Sequence, residues 1–509
     1  MFIISCLTGP ISLAKRYFKA FRIREKAAKF YKQLPLYCHA CNGDEMRYSN
    51  KMASFSKALP HNKHGEVDSH AYKKYMEALK TGNHDDLEKI PLGGTSKLVN
   101  PQAAYSYELV GPDSHQLVVP PPPSFHSAEA ASEMVELYWQ ALTRDVPFSD
   151  YSTDPLTITA AKELSTLTEF RGPKINGIVT PDLLFRASLP GALEGPYLSQ
   201  FLWMDIPYVA ATIKQQYRST KSGDHYLTSY QNWLDAQNGL PVQLDIEYTA
   251  PRYIIDGRAL AEYVHHDYSV EDGLTTCFIL LSYGNQALDH ANPYLHSHTQ
   301  TGFAAFGAPH ILDFVTRVAR PALEAAWFQK WLVHRRLRPE EFGGRIHQKL
   351  TGTAFYPINH EVLNSEAVFR VYNKYGTYLL PQAYPEGCPA HPSYPAGHAT
   401  FIGAMVTMLK AFFNEEFVIP NPVIPSQDGM SLTPYKDAPL TIGGELNKLA
   451  YNISLGRNAA GVHYRTDGIN GIKLGEKIAI GILRDYRETY QQEFKGFSLT
   501  TFDGNMITI

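Results

Sequence analysis

Apolar residues recur at helical spacing along much of this chain. In the stretch that follows residue 125, one face of a helix carries Met134, Leu137, Tyr138, Ala141 and Leu142. The same spacing predicts four further helices, over residues 311–338, 398–413, 443–459 and 467–490. The helix over 398–413 is apolar on every face, which is typical of a buried helix. Strand patterns are few and short, so the pattern predicts an all-α, mainly helical fold.

Two details of this pattern are open. Pro321 is expected either to kink the helix over 311–338 or to open a new helix within it. Residues 272–282 form a short apolar run whose periodicity fits a buried strand and a helix equally well.

The chain changes character near residue 125. Pro120 to Pro123 are consecutive prolines, which must be extended and cannot be helical. The first helical pattern follows directly. We therefore predict a flexible segment over residues 1–25, a loop-rich region over residues 26–125 that wraps the body, and a helical body from residue 126.

The first residues lack the order of a secretory signal peptide, in which a basic segment precedes the apolar one. Here the apolar run Met1–Leu7 comes first, Gly9-Pro10 interrupts it, and Lys15, Arg16 and Lys19 follow. We expect a weakly amphipathic start, which leaves a cytoplasmic and a periplasmic location open. No apolar run reaches the length of about 18 residues that a membrane span requires.

Composition excludes some classes of function. The chain has 509 residues and 57.1 kDa, with 44% hydrophobic and 19% charged residues, so it can bury a large core. Its 47 Lys and Arg against 50 Asp and Glu give a net charge of −3. This balance excludes a nucleic-acid binder that relies on a strongly basic surface, but it allows a local cationic pocket.

The five cysteines are too few for a disulfide framework. Cys38 and Cys41 have C-x-x-C spacing, but a structural zinc site needs four ligands and a second such pair is lacking. Reduced surface thiols are the main expectation, with metal binding or an occasional disulfide as alternatives.

The first of three cationic motifs is FQKWLVHRRLRPEE. Lys330 and Arg338 are eight residues apart, or about two helical turns plus 80°, so they project in related directions. Pro339 disfavours helix at the residue before it, which places Arg338 at the end of the helix. Lys330 shares an apolar stripe with Trp327, where a buried anion would offset the cost of burying its charge. The alternative is a lysine whose ammonium group reaches solvent.

The second motif is CPAHPSYPAGHATF. Gly397 and His398 open the apolar helix, and a helix N-terminus offers free N–H groups and a positive dipole end to an anion. His398 would stand beside that anion as a candidate acid–base group. His391, seven residues earlier, is expected to face the same pocket. The alternative is a proline-rich turn with a core histidine.

The third motif is SLGRNAAGVHYRTDG. Arg457 lies near a helix end, and His463 follows the C-cap candidate Gly461. A histidine that binds an ion usually donates its other N–H to an acceptor, and Asp467 is placed for that role. Asp467 is alternatively the N-cap of the last helix, and one residue can do both.

Together the motifs supply one lysine, two arginines, a helix N-terminus and two histidines. This set fits one tetrahedral or trigonal oxyanion that is held by several charge-assisted hydrogen bonds.

The three motifs resemble the signature of the vanadium-dependent haloperoxidase and acid phosphatase superfamily. They read K-x7-R-P at Lys330–Pro339, P-x-G-H at Pro395–His398 and R-x5-H-x3-D at Arg457–Asp467, in the same order. The strings VHRRLRPE, HPSYPAGHA and GVHYRTD are more similar to algal-type bromoperoxidases and their bacterial relatives than to the phosphatases. The eight-residue spacing from lysine to arginine, the extra His391 and the stretch LPHNKHGEV resemble the same group.

For the fold, the resemblance implies helical bundles of the haloperoxidase type. The helical body would cover residues 126–300, a catalytic four-helix bundle residues 301–490 and a tail residues 491–509. It also implies a homo-oligomer.

For the chemistry, the resemblance implies orthovanadate with His463 as its sole protein ligand. The residues that would hold its oxygens are Lys330, Arg338, the Gly397 N–H group and Arg457. Lys330 would also polarise hydrogen peroxide, His398 would move its proton, and Asp467 would orient His463. The halide would become hypohalous acid and halogenate small organic acceptors. His391 favours bromide or iodide over chloride, and phosphate is expected to compete with vanadate.

Two alternatives remain open at this stage. In an acid phosphatase-like phosphohydrolase, His463 would be the nucleophile that forms a phosphohistidine and His398 would protonate the leaving group. The other alternative is a helical oxyanion-binding protein without enzymatic activity.

The chain departs from the superfamily pattern at two positions, where Ala396 and Gly456 replace the usual serines. Loss of one hydrogen bond to a charged ligand costs about 1.5–3 kcal/mol, which predicts weaker vanadate binding. The alternative is a tuning of the peroxide or halide chemistry.

Overall fold

A computed structural model describes residues 11–242 and 246–509 of the chain. The described residues are mainly helical, which confirms the fold class that the apolar spacing predicts. The apolar run Met1–Leu7 and Cys6 lie outside the described residues. None of the described helices combines the length and the apolarity that crossing a bilayer requires.

The α-helices of the described residues are, in chain order, α1 (Leu13–Gln33), α2 (Asp44–Arg47), α3 (Ser69–Thr81), α4 (His84–Leu87), α5 (Ala128–Leu142), α6 (Pro155–Thr166), α7 (Tyr230–Gln237), α8 (Gly257–His266), α9 (Glu271–Ser282), α10 (Ala308–Arg317), α11 (Ala319–Phe328), α12 (Pro339–Leu350), α13 (His360–Leu363), α14 (Glu366–Tyr375), α15 (Gly397–Phe412), α16 (Ile442–Ala459) and α17 (Arg465–Arg487). A π-helical turn covers Gln329–His334. Short 3-10 helices cover Pro101–Tyr105, Ser114–Gln116, Phe148–Asp150, Pro181–Leu183, Gln200–Leu202 and Asn285–Ala287.

The strands of the described residues form three small antiparallel hairpins. They pair β1 (Ile206–Tyr208) with β2 (Ala211–Ile213), β3 (Val423–Pro425) with β4 (Leu432–Pro434), and β5 (Ser498–Thr500) with β6 (Met506–Thr508). Ile206 pairs with Ile213, Val423 with Pro434 and Ser498 with Thr508.

Helix α15 lies at the centre of the core, and every residue in it except His398 is buried. Helix α17 packs against it at backbone distance. A Cβ atom on Gly475 would lie 2.1 Å from the carbonyl oxygen of Thr400, and one on Gly403 would lie 2.3 Å from that of Ile472. This close approach brings the N-termini of the two helices together, where Ala396 N–H donates to the carbonyl oxygen of Asp467 (2.9 Å).

The predicted helix over 311–338 is broken, so that prediction is wrong in its extent. Val318 separates α10 from α11, and Pro321 is the third residue of α11. The helix ends after the π-helical turn because Arg335 has a left-handed backbone with φ +38°. Residues 272–282, for which strand and helix were both open, form α9.

The region before residue 125 packs against the helix that follows Arg338. Both the backbone N–H and the hydroxyl of Ser56 donate to Glu341 (3.0 Å), and Lys57 forms a buried ion pair with Glu340 (2.9 Å). One hydrophobic core extends from Ala53 to Ile509. The predicted segment boundaries stay predictions. Cys38 and Cys41 are exposed free thiols.

Candidate active site

Arg338 connects the three motifs. It is fully buried and its backbone N–H donates to Glu341 at the start of α12 (3.0 Å). Its guanidinium group donates to the carbonyl oxygens of His391 (2.8 Å) and Val462 (2.7 Å), and to Nε2 of His463 (3.0 Å). One side chain of the first motif therefore contacts both of the others.

Lys330 is fully buried in the π-helical turn. Its ammonium group donates to the carbonyl oxygens of Pro392 and Ser393, both at 2.7 Å. Burial holds the pKa of Lys330 well below its usual range, and the positive charge of Arg338 adds to this effect. The alternative interpretation, in which the ammonium group of Lys330 reaches solvent, is therefore wrong.

His463 is a neutral ligand candidate whose orientation Asp467 fixes. Nδ1 of His463 donates to Asp467 Oδ2 (2.9 Å), so the lone pair of Nε2 faces Arg338. Burial and the surrounding positive charges hold the pKa of His463 well below its usual range. Asp467 is fully buried and also accepts from the Ser393 hydroxyl and from Arg336 (2.8 Å).

Arg457 reaches the same cluster from the last turn of α16. It donates to the carbonyl oxygen of Val264 at the end of α8 (2.7 Å) and to the Tyr384 hydroxyl (3.4 Å). Its Nε atom is buried and has no hydrogen-bond partner among the described residues. Such a buried donor is costly unless a ligand accepts from it.

The N-terminus of α15 supplies Gly397 and His398. A Cβ atom on Gly397 would lie 3.1 Å from the indole ring of Trp327, so a larger residue would have to displace that ring. Nε2 of His398 donates to Asp267 Oδ1 (3.0 Å). Burial lowers the pKa of His398, although the negative charge of Asp267 acts in the opposite direction.

His391 lies on the other side of Arg338. Its Nδ1 atom accepts from the Arg338 guanidinium (3.0 Å), and its ring centroid is 4.8 Å from that of Trp327. Burial, Arg338 and Lys330 hold the pKa of His391 well below its usual range, so the ring is neutral.

The cluster carries an excess of buried positive charge. In the part of the chain that the structure describes, neutral groups are the hydrogen-bond partners of the side chains of Lys330, Arg338 and Arg457. Asp467 is nearby, but it forms its ion pair with Arg336. Holding these three side chains charged in the protein interior without a paired carboxylate is costly, and an anion between them would offset that cost, so the geometry fits an oxyanion site.

Two predicted positions differ in their local structure. Arg338 does not end a helix: it is the N-cap of α12, because Pro339 is a favourable first residue of the next helix. Asp467 is not the N-cap of α17: Tyr464 holds that position. Asp467 is the third residue of the helix, where its carboxylate accepts the Tyr464 N–H (3.1 Å) as well as contacting His463.

Sequence reasoning missed four residues that support the cluster. Arg336 forms buried ion pairs with Asp467 (2.8 Å) and Glu133 (2.7 Å). Ser393 donates a hydrogen bond to Asp467, and Asp267 accepts one from His398. Arg336 and Ser393 stand inside the quoted motifs, so those strings contained the signal. Asp267 and Glu133 lie far away in the sequence and no motif marks them.

Close packing against α8 explains why position 456 is a glycine. A Cβ atom there would lie 2.8 Å from Cγ2 of Val264 and 2.9 Å from the carbonyl oxygen of Leu260, so a serine would push α8 away from α16. Ala396 is buried and is the N-cap of α15, without a side-chain hydrogen bond to the helix.

Comparison with known proteins identifies the family. The family model "VCPO second helical-bundle domain" matches residues 314–492. A vanadium-dependent bromoperoxidase from Ascophyllum nodosum is 35% identical over 504 residues, with 93% of this chain and 88% of the relative covered. One from Corallina officinalis is 32% identical over 595 residues, with 98% and 99% covered.

A solved structure agrees with these relatives. The homohexameric second vanadate-dependent bromoperoxidase of Ascophyllum nodosum has a TM-score of 0.93 and 28% identity to this chain, with 99% of this chain and 92% of that chain covered. The sequence relatives and the solved structure match this chain over nearly its whole length. The chain therefore belongs to the family of vanadium-dependent bromoperoxidases.

Proposed function

We propose that this chain is a vanadate-dependent haloperoxidase that oxidises bromide or iodide with hydrogen peroxide to hypohalous acid. The hypohalous acid then halogenates small organic acceptors. The observation that carries the proposal is the excess of buried positive charge around Nε2 of His463. The bromoperoxidase activity in the names of the relatives supports bromide as the substrate.

The donor set of the cluster fits orthovanadate. Lys330, Arg338 and Arg457 would balance the negative charge of its oxygens, and the unpartnered Nε of Arg457 would gain an acceptor. The Gly397 N–H at the start of α15 adds a backbone donor and a favourable dipole. His463 would bind vanadium through Nε2, because Nδ1 is engaged with Asp467.

Bound vanadate would supply a Lewis-acid centre that activates peroxide at a constant oxidation state. Around it, Lys330 would place a positive charge against the peroxide. His398 would be neutral because its pKa is lowered. Its Nδ1 atom would accept the peroxide proton, because Nε2–H is engaged with Asp267, and Asp267 would stabilise the resulting imidazolium. His391 and Trp327 would form the wall that the halide approaches.

Bromide oxidation with and without added orthovanadate tests the proposal. Chelator-treated protein is mixed with hydrogen peroxide and bromide, and bromination of a phenol dye is followed. We expect activity that depends on vanadate in the wild type and no activity in His463→Ala. His360→Ala, at an exposed position in α13, is the matched control and should behave as the wild type. Circular dichroism checks that both variants keep the helical fold. Full activity in His463→Ala would contradict the assignment.

Phosphate offers a second test of the same cluster, because it has the shape and charge pattern of vanadate. Pre-incubation of the apoprotein with phosphate should slow activation by vanadate in proportion to its concentration. If activation is indifferent to phosphate, vanadate binds elsewhere.

We propose further that the chain is a homo-oligomer. Among the described residues, none of the 21 residues of α1 is buried, and Leu13, Tyr17, Phe18 and Phe21 are exposed on it. An exposed apolar patch of this kind is typical of a protein interface. The homohexameric relative supports a second copy of this chain as the partner.

A further inference from the structure

A cluster of metal-binding side chains lies at the end of α8, outside the oxyanion site. Glu262, His265 and His266 each present one potential ligand atom, and these atoms lie within 4.8 Å of one another. Glu262 precedes the two histidines by three and four residues, so its carboxylate packs against both on the helix surface. One carboxylate and two imidazoles form a common ligand set for divalent transition metals.

The carboxylate of Glu262 is buried and incompletely bonded. Its side chain is 5% exposed, and Oε1 has no hydrogen-bond partner among the described residues. Nε2 of His266 lies 3.1 Å from Oε1 without hydrogen-bond geometry. A buried acceptor in this state is costly in a folded protein, and a cation between the two atoms would satisfy both.

The ring of His265 is already oriented for a metal. Its Nε2 atom contacts Oε1 of Glu386 (2.6 Å), and the ring stacks on Tyr384 with centroids 3.7 Å apart. Its Nδ1 atom is buried, has no hydrogen-bond partner among the described residues, and lies 3.8 Å from Oε2 of Glu262. A carboxylate on one ring nitrogen with the other nitrogen turned to a common point is the usual arrangement of a metal-bound histidine.

An ion can reach this cluster from solvent. A cavity of about 260 Å³ is lined by Glu262, His266 and Asp267, among other residues. His266 is exposed, so a bound ion would keep open positions for water.

We propose that Glu262, His265 and His266 bind one divalent transition-metal ion of the Zn²⁺ type, with Glu386 orienting His265. The ion fastens the last turn of α8. That turn carries the Val264 carbonyl that holds Arg457, and Asp267, which contacts His398, follows it directly. The metal site is therefore a structural support next to the oxyanion cluster and is separate from it.

Binding of Zn²⁺ and Co²⁺ to chelator-treated protein tests the proposal. We expect one equivalent of Zn²⁺ by calorimetry, and a visible Co²⁺ spectrum that Zn²⁺ displaces. Loss of one ligand in His266→Ala should weaken Zn²⁺ binding about hundred-fold or more, and Glu386→Gln should weaken it about 10- to 100-fold as an outer partner. His70→Ala, at an exposed histidine in α3, should bind as the wild type.

Two measurements keep this test separate from haloperoxidase function and from misfolding. His463→Ala should retain the full equivalent of Zn²⁺, since it changes only the oxyanion cluster. Zn²⁺ should raise the thermal midpoint of the wild type, and at higher Zn²⁺ concentration also that of Glu386→Gln. The thermal midpoint of His266→Ala should stay unchanged at the same concentrations. Equal Zn²⁺ affinity in wild type and His266→Ala, or loss of the bound equivalent in His463→Ala, overturns the proposal.

Discussion

His334 shows what burial does to a single residue beside the cluster. Both of its ring nitrogens are buried without a hydrogen-bond partner among the described residues, and its ring packs edge-on against Tyr394. Burial lowers the pKa of His334 to about 3, and the positive charges of Arg335 and Arg336 add to the effect. The folded protein therefore holds this ring neutral.

This lowered pKa predicts a pH dependence of stability. Below pH of about 6.5 the unfolded chain binds a proton that the folded chain rejects until pH of about 3, so the stabilisation present above 6.5 is lost as the pH falls. Between pH 7 and pH 4.5 the free energy of unfolding should fall in both proteins. The fall should be about 2–3 kcal/mol smaller in His334→Phe than in the wild type. Urea unfolding at both pH values measures the difference, with His360→Phe as the exposed control. Equal losses in wild type and His334→Phe would show that His334 is not neutral when folded.

Ala396 is the residue where a single oxygen atom is missing from the family pattern. As N-cap of α15 it leaves the first N–H groups of the helix without a side-chain acceptor. A serine hydroxyl there would accept from the helix and donate its own proton to the anion. Ala396→Ser should therefore raise stability without vanadate by about 0.5–2 kcal/mol.

The same variant should tighten vanadate binding by about ten-fold or more, because one hydrogen bond to a charged group contributes about 1.5–3 kcal/mol. Turnover need not rise, because tighter binding of the resting state does not lower the barrier. Vanadate titration of the apoproteins measures this, with Ala390→Ser in the same segment as control. An unchanged affinity would mean that position 396 does not face the anion.

At the scale of elements, the apolar spacing was enough to predict the helices that carry the site. It was not enough to predict the turn at Arg335, which ends the helix before α12. The helices α15, α16 and α17 follow the apolar spacing within a few residues, because burial against one core sets that period. Arg335, at the turn that ends the helix, forms an ion pair with Glu45 (2.5 Å), which lies 290 residues away. The contact of Asp267 with His398 likewise spans 131 residues, and one sequence shows no sign of either.

The crossing of α15 and α17 predicts a strong effect of one methyl group. In Gly475→Ala the new Cβ atom would lie 2.1 Å from the carbonyl oxygen of Thr400, which is backbone and cannot move aside. The helices must separate, at a cost of about 1–3 kcal/mol or more. Because Ala396 and Asp467 hold the two helix starts together, vanadate affinity should fall as well.

Urea unfolding and vanadate titration measure both effects of Gly475→Ala. Gly257→Ala is the matched control, since its Cβ atom would lie 3.4 Å from its nearest neighbour, the Arg144 carbonyl oxygen. If Gly475→Ala were as stable as the wild type, the close crossing would be incorrect.

On the scale of the whole molecule, one side of α1 contacts the C-terminal part of the chain, and α1 also exposes apolar side chains to solvent. Lys19, Lys26 and Tyr31 fasten it to the C-terminal part of the chain, through Gln491, Glu488 and the Gly481 carbonyl. Phe18 and Phe21 lie one helical turn apart and are 60% and 57% exposed. A single chain leaves these rings in contact with water, whereas the second copy that we propose would bury them.

The double variant Phe18→Glu/Phe21→Glu should therefore weaken self-association. Burial of each phenylalanine is worth about 1.5–3 kcal/mol, so loss of both should raise the dissociation constant of the oligomer at least about hundred-fold. Sedimentation velocity over a range of protein concentrations measures the shift towards monomer. Phe355→Glu, at a phenylalanine that is 82% exposed elsewhere on the surface, is the matched control and should leave the oligomer intact. Because α1 packs outside the oxyanion cluster, the monomeric variant should still bind vanadate, which separates assembly from the chemistry. An unchanged oligomer in the double variant would show that another surface joins the copies.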